Sequence, residues 1–151
     1  MLKKVERSLL TLLDVEKELC YVVLCNIKTL ICSFPGFLQS ALANFSCRAL
    51  EPSYIIIEKL EIMTLLSTEE NLSCILSELE LYVTERFLSL FNVCSALGTL
   101  NNHTVMAAMT MAGTCACKHP ESAERFVEIL FSFVANVPDY VECFVPVYTV
   151  S

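Results

Sequence analysis

Between Glu51 and Leu66 apolar residues recur at three- and four-residue steps, through Tyr54, Ile57, Leu60 and Met63 or Thr64. Ile55, Ile56, Ile62 and Leu65 widen that stripe beyond half the circumference, so the pattern predicts a helix buried between neighbours. Pro52 suits its first turn, where the missing N–H would be unpaired anyway, and Glu51 adds negative charge at the positive end of the dipole. Ser67-Thr68-Glu69-Glu70 breaks the run, and Ser67 or Thr68 is the expected cap of the next helix. That helix carries Leu72, Ile75, Leu76, Leu79 and Val83 on one face and Glu78, Glu80 and Glu85 on the other. Pro120 is expected to open a further helix, with Glu121 and Glu124 in its first turn and Phe126, Val127, Leu130, Phe131 and Val134 as its stripe. Upstream, Pro35 and Gly36 separate a helix over Lys17 to Ser33 from a shorter one near Phe37 to Phe45. The chain reads as helices of about 12 to 17 residues joined by tight turns.

Composition sharpens this to an all-α fold. The 151 residues are 55% hydrophobic, with mean hydropathy +0.59, yet only Gly36, Gly98 and Gly113 and five prolines are available for turns. So few turn formers argue against a sandwich or barrel. The apolar excess implies surface that faces a neighbour, or a chain that is part of something larger. It does not imply a membrane span. Asn26 and Lys28 interrupt the stretch Leu19 to Phe37, and Pro138, Asp139, Glu142 and Pro146 interrupt Phe131 to Val150, short of the ~20 apolar residues a span needs. A net charge of −7 without an arginine cluster disfavours nucleic acid, and also docking of the whole module on anionic lipid.

An internal repeat points to the architecture. Glu18-Leu19-Cys20-Tyr21, Pro52-Ser53-Tyr54 and Pro138-Asp139-Tyr140 can be stacked on their tyrosines, with Asn102-His103-Thr104 as a weaker copy that puts Thr104 at the tyrosine position. The successive offsets are 33, 50 and 36 residues. Two match a helical hairpin repeat; the long one places an insertion at about 86–101, within an otherwise single segment over 1–151. Phe87, Leu88, Leu90, Phe91, Val93 and Leu97 there could form an extra helix. Such hairpins bury their apolar faces by stacking side by side in a solenoid, around one continuous core.

Candidate chemistry is thin. Nine cysteines, Cys20, Cys25, Cys32, Cys47, Cys74, Cys94, Cys115, Cys117 and Cys143, sit mostly in apolar runs. Charges at Lys3, Lys4, Glu6, Arg7, Asp14 and Glu16 leave no clean secretory h-region, so reduced, buried thiols are expected. Cys115-Ala116-Cys117-Lys118-His119 has the look of a metal tract, but on a helix Cys115 and Cys117 point about 200° apart and no second ligand pair follows. His103 and His119 flank helix starts, and nothing in their spacing holds either against a thiol as a nucleophile pair would require. The sequons at Asn44, Asn71 and Asn102 read as accidental, and the acidic edge of Glu69, Glu70, Glu78, Glu80 and Glu85 as a solvated face. No residue is assigned a catalytic, cofactor-binding or metal role; binding residues stay unassigned, and the chain is not expected to be an enzyme.

Several blocks nevertheless resemble a known family. Glu18-Leu19-Cys20-Tyr21-Val22-Val23-Leu24-Cys25-Asn26-Ile27 followed by Phe34-Pro35 is similar to the trunk of beta-adaptins, the beta large subunits of adaptor complexes. So are Glu51-Pro52-Ser53-Tyr54-Ile55 with Glu58-Lys59-Leu60-Glu61-Ile62-Met63, then Glu70-Asn71-Leu72, Ala112-Gly113-Thr114-Cys115-Ala116 and Glu121-Ser122-Ala123-Glu124-Arg125. The first half looks most like the beta subunit of the fourth adaptor complex. The resemblance runs in order from about Leu12 to Val141 and has no counterpart for Arg86 to Asn101. It implies a HEAT/armadillo trunk that acts in vesicle-mediated protein transport through protein contacts, beside a second large chain, a medium chain and a small chain. It implies a cytoplasmic location, with indirect attachment to Golgi or endosomal membranes or coated vesicles, and no cofactor. An unrelated HEAT or armadillo scaffold is the alternative, and a cysteine hydrolase a remote one.

Overall fold

A computed structural model of the chain describes residues 2–48, 51–82 and 102–135. Six α-helices carry them: α1 (Leu2–Thr11), α2 (Lys17–Ser33), α3 (Ser53–Leu65), α4 (Leu72–Leu81), α5 (Asn102–Lys118) and α6 (Ala123–Ala135). No strand occurs among the described residues.

The spacing of apolar side chains accounts for α2. Cys20, Val23, Leu24, Ile27 and Ile31 fall on one stripe and are all buried. The helix stops where the backbone of Phe34, the residue before Pro35, turns extended at φ −128° and ψ 92°. Gly36 then takes φ +85°, and Leu38 follows at φ 60°. A leucine in that region costs about 1–2 kcal/mol. Its side chain is only 1% exposed and its N–H donates to Glu6 Oε1 of α1 at 3.3 Å, so packing holds the conformation.

The shorter helix expected near Phe37 to Phe45 is a 3₁₀ helix over Gln39–Phe45. Three-residue spacing explains the difference: Leu38 and Ala41, then Leu42 and Phe45, point their side chains inward at the tighter period, and all four are buried.

In α3, Pro52 is the cap and not the first helical residue; its carbonyl accepts from the N–H groups of Ile55 and Ile56 at 3.1 and 3.2 Å. Ile55, Ile56, Leu60, Ile62 and Met63 are buried because α2 lies on one side of α3 and α5 on the other. The predicted burial between neighbours is therefore met, although Tyr54 and Leu65 stay on the outside.

Asn71, and neither Ser67 nor Thr68, precedes α4. Its Oδ1 accepts from the Thr68 N–H at 2.8 Å, which spends the turn Ser67–Glu70 on a closed loop ahead of the helix. Leu72, Ile75, Leu76 and Leu79 are buried as the stripe required. Val83 and Glu85 lie outside the described residues.

Pro120 opens a 3₁₀ turn, Pro120–Ser122, that runs into α6. There the inner face is Phe126, Ile129 and Phe133, with Leu130 half-buried against the core; Val127 and Phe131 are 41% and 70% exposed. The expected stripe was thus rotated outward, because α6 packs on α5 and α4 from one side only.

Two rows result. α2, α3 and α5 lie side by side and point the same way. Tyr21 meets Tyr54 near their starts, Lys28 reaches Glu61 further along, and Lys118 reaches the Thr64 carbonyl at their ends. Behind them, the 3₁₀ helix packs on α3 and α6 on both α4 and α5. Each front helix is followed by its back-row partner, so three hairpins stack as an α-solenoid around one continuous core. Among the described residues no helix is long and apolar enough to cross a membrane. The expected insertion at 86–101 and the third tyrosine, Tyr140, lie outside the described residues.

Candidate interaction surface

The front row carries most of the polar organisation. Lys59 points inward from the apolar face of α3 and is 4% exposed. Its Nζ lies 2.5 Å from Glu51 Oε1 and donates to the Ser46 carbonyl at 3.2 Å, which ties the end of the 3₁₀ segment to the start of α3. A buried ammonium is tolerable only with such partners. Beside it, burial pushes the Cys20 thiol pKa up, with the Lys59 charge pulling the other way.

A second cluster joins α2 to α3. Lys28 Nζ is 2.6 Å from both Glu58 Oε2 and Glu61 Oε2. Burial alone would lower the pKa of Lys28, but hydrogen bonds to Glu58 and Glu61 outweigh it and hold the ammonium above the usual lysine range. Tyr21 and Tyr54 meet edge to face, with centroids 5.6 Å apart and planes at 86°. The Tyr21 hydroxyl is held above its ordinary pKa first by its hydrogen bond with Cys25.

The carboxyl end of α3 is closed by side chains from three directions. The Leu66 carbonyl accepts from Gln39 Nε2 at 2.7 Å and Asn71 Nδ2 at 2.8 Å. The Thr64 carbonyl accepts from Lys118 Nζ at 2.8 Å, a cation at the negative end of the helix dipole. Next to it, His119 Nε2 stands 3.4 Å from Ser67 Oγ.

Between these clusters a trough of about 700 Å³ crosses α2, α3 and α5. Lys28, Cys32, Glu61, Leu65, Thr110 and Met111 line it. Three hydroxyls along it are turned back on their own helices: Thr29, Thr64 and Thr110 each donate to the carbonyl four residues earlier, at 3.1, 2.8 and 2.8 Å. Their methyl groups are left as surface, and Leu65 beside them is 38% exposed.

The residues singled out in the sequence are not brought together here. Cys115 is buried on the core side of α5, where burial raises its thiol pKa, while Cys117 is exposed. His103 is exposed in the first turn of α5. Cys20 is buried, Cys32 and Cys74 are exposed, Cys25 and Cys47 lie between, and Cys94 and Cys143 are outside the described residues. Of the sequon asparagines, Asn71 has both amide atoms engaged, and Asn44 Nδ2 donates to the Ala41 carbonyl at 3.1 Å. The acidic edge is not a uniform solvated face: Glu78 accepts from Ser46 Oγ at 2.5 Å, and Glu80 pairs loosely with Arg125 at 3.9 Å. Thr104, the weak copy of the tyrosine position, is buried, whereas Tyr54 is exposed. Sequence reasoning passed over Lys59 and Lys28. The signals were a lone lysine inside the apolar stripe of α3, and a Lys28–Glu61 separation of 33 residues, the same as the tyrosine offset.

No family model matches the chain. It is similar to AP-1 complex subunit beta-1 of Mus musculus, 33% identical over 141 residues, which is 93% of this chain and 14% of that protein. It is also similar to AP-3 complex subunit beta of Dictyostelium discoideum, 31% identical over 134 residues, 89% of this chain and 11% of that protein. With AP-4 complex subunit beta-1 of Mus musculus it shares 36% identity over 69 residues, 46% of this chain and 9% of that protein. The chain therefore resembles AP-1 and AP-3 beta subunits along nearly its whole length and an AP-4 beta subunit along 46% of it, and spans 14% or less of the length of these relatives.

Proposed function

We infer that the chain is a trunk segment of beta-adaptin type that works by surface contact, as part of an adaptor or coat assembly in vesicle-mediated protein transport. The observation that carries this reading is the ordered similarity to AP-1 complex subunit beta-1 over 93% of the chain. The stacked hairpins support it, since such a row offers an extended surface for other proteins. We read the whole of 1–151 as one helical-repeat segment with an insertion at about 86–101. Its partners on this reading are a second large chain, a medium chain and a small chain. Its location is cytoplasmic, at Golgi or endosomal membranes or coated vesicles, and attachment is indirect, through the complex.

The fourth adaptor complex is the finer assignment to test. The 36% identity with an AP-4 beta subunit reaches only 46% of this chain and does not single that complex out, since similarity to AP-1 and AP-3 beta subunits covers 93% and 89%. Tagged full chain expressed in cells and recovered under mild conditions should co-purify with medium and small adaptor chains, and which complex they belong to decides between the fourth and the others. Recovery without any adaptor chain, or with the partners of another helical scaffold, would refute the reading.

A further inference from the structure

We propose that copies of this chain associate head to tail, the outer face of α6 in one copy seating on the outer face of α1 in the next. The inference rests on the two ends of the stack and holds whichever assembly the chain joins.

The end made by α6 is acidic beside an exposed ring. Phe131 is 70% exposed, and Val127, one turn before it, 41%. Glu128 and Glu124 precede Phe131 by three and seven residues, so they border it on the same face. Neither carboxylate has an ion-pair partner among the described residues, and Arg125 reaches instead to Glu80. With Glu80, Glu121, Glu124 and Glu128 against the one Arg125, this end keeps a formal charge of −3.

The end made by α1 has the opposite sign. α1 packs on the 3₁₀ turn Leu12–Asp14, and its Glu6 turns inward to the Leu38 N–H. Lys3, Lys4 and Arg7 are left exposed, without an ion-pair partner among the described residues. Counted with Glu6 they give α1 a formal charge of +2, which the flanking Asp14–Arg48 pair leaves unchanged, in a chain of net charge −7. The arrangement works against the helix itself. Lys3 and Lys4 stand in a first turn that holds no acid, at the positive end of the dipole, and Lys3 and Arg7 repel across four residues. Carboxylates from outside relieve both. Val5 and Leu12, 45% and 41% exposed, form the apolar border of this face.

Sign and topology choose a second copy as the occupant. Each end joins exposed apolar side chains to charge of one sign, and the two signs differ. Lys3 and Arg7 are four residues apart, as are Glu124 and Glu128, a rise of about 6 Å on either helix, so the charges meet in register. Like ends repel, which disfavours a two-fold dimer; unlike ends let one copy follow another through a heterologous contact. Such a contact repeats the way neighbouring hairpins already stack within the chain.

Sedimentation equilibrium of the full chain from about 10 µM to about 500 µM reads the association, which is weak because two helix faces make a small contact. The average mass should climb with concentration without levelling at two copies, and raising NaCl from about 50 mM to about 500 mM should weaken association about fivefold or more. Phe131→Ser blocks the acidic end, and Lys4→Gln with Arg7→Gln blocks the basic end, all at exposed positions. Each blocked chain alone should associate about tenfold more weakly. Their equimolar mixture retains one intact end of each kind, so it should pair as readily as the native chain and stop at two copies. In native chain mixed as ¹⁴N and ¹⁵N forms, carbodiimide should join Lys3 or Lys4 of one copy to Glu124 or Glu128 of another. The proposal is overturned if the native chain stays monomeric throughout, if its mass levels at two copies, if the mixture associates no better than the blocked chains alone, or if the crosslinks between copies join other residues.

Discussion

Replacing Glu51 by leucine should unfold this chain far more readily than replacing its partner Lys59 by methionine. The two side chains form one buried pair, but they are not equally deep. The Lys59 side chain is 5% exposed and that of Glu51 17%. Glu51→Leu leaves an ammonium inside the front row with the Ser46 carbonyl, at 3.2 Å, as its remaining partner. Breaking a buried pair in this way costs about 3–5 kcal/mol. Lys59→Met removes the deeper charge, keeps an apolar stem of similar length in its place, and leaves a carboxylate near enough to the surface to recover water. Its cost should be about 1–2 kcal/mol, close to that of one lost charged hydrogen bond. The double variant should then be no less stable than Glu51→Leu alone and is expected to recover about 2 kcal/mol of its loss. Urea denaturation of the full chain, followed by far-UV circular dichroism at neutral pH, reads all three. With a slope of about 2 kcal/mol/M, Glu51→Leu should move the midpoint down by about 2 M and Lys59→Met by less than about 1 M. Equal shifts for the two single variants, or a double variant that simply adds them, would refute the assignment of a deep cation with a shallow partner.

Further expectations concern register, linkage, thiols and turns. Phe126→Ala should cost about 3–5 kcal/mol, while Phe131→Ser should stay within about 0.5 kcal/mol, which checks by the same denaturation which face of α6 is buried. Lys28 has its folded pKa raised, so its contribution is fully present below the ordinary lysine value of about 10.4 and is lost as pH rises through the higher folded value. The stability gap between native chain and Lys28→Met should therefore be the same at pH 7 and pH 9 and narrow above about pH 10.5; a gap that narrows already between pH 7 and 9 would contradict the pairing. Maleimide at neutral pH should label Cys32, Cys74 and Cys117 at least about tenfold faster than Cys20 and Cys115, whose thiols are buried and shifted upward, as mass spectrometry of the digests would report. Asn71→Ala should cost about 1–2 kcal/mol, because both its amide bonds, to Thr68 and Leu66, are lost together.

Much of the fold is legible in the chain because helices with a wide apolar face leave a strong periodic signal. The bounds of α2, Lys17–Ser33, follow from its apolar stripe and the Pro35-Gly36 break, and the inner face of α4 from spacing alone. The stack follows from the 33-residue offset of Tyr21 and Tyr54, whose rings do meet. Legibility fails where several arrangements fit one pattern. Phe126, Val127, Leu130 and Phe131 are apolar on adjacent lines of α6, and only the placement of α4 and α5 decides that Phe131 faces out. The left-handed Leu38 has no local signal at all; its burial and the bond from its N–H to Glu6 of α1 set it. The trough was equally hidden, since it depends on three threonine hydroxyls folding back and on helices more than 30 residues apart in sequence lying abreast. Lys59 is visible as a lysine within an apolar stripe, but the sequence marks its partner Glu51 only as a charge for the helix dipole.

Nuclear Overhauser contacts in a chain labelled selectively on tyrosine and leucine test the stacked arrangement most directly. Parallel front helices place the Tyr21 ring against the Tyr54 ring, with centroids 5.6 Å apart, and strong ring-to-ring cross-peaks should appear. Cross-peaks from Tyr21 to Leu65 or Leu66 instead would put α2 and α3 head to tail, and the row of like-pointing helices would be wrong.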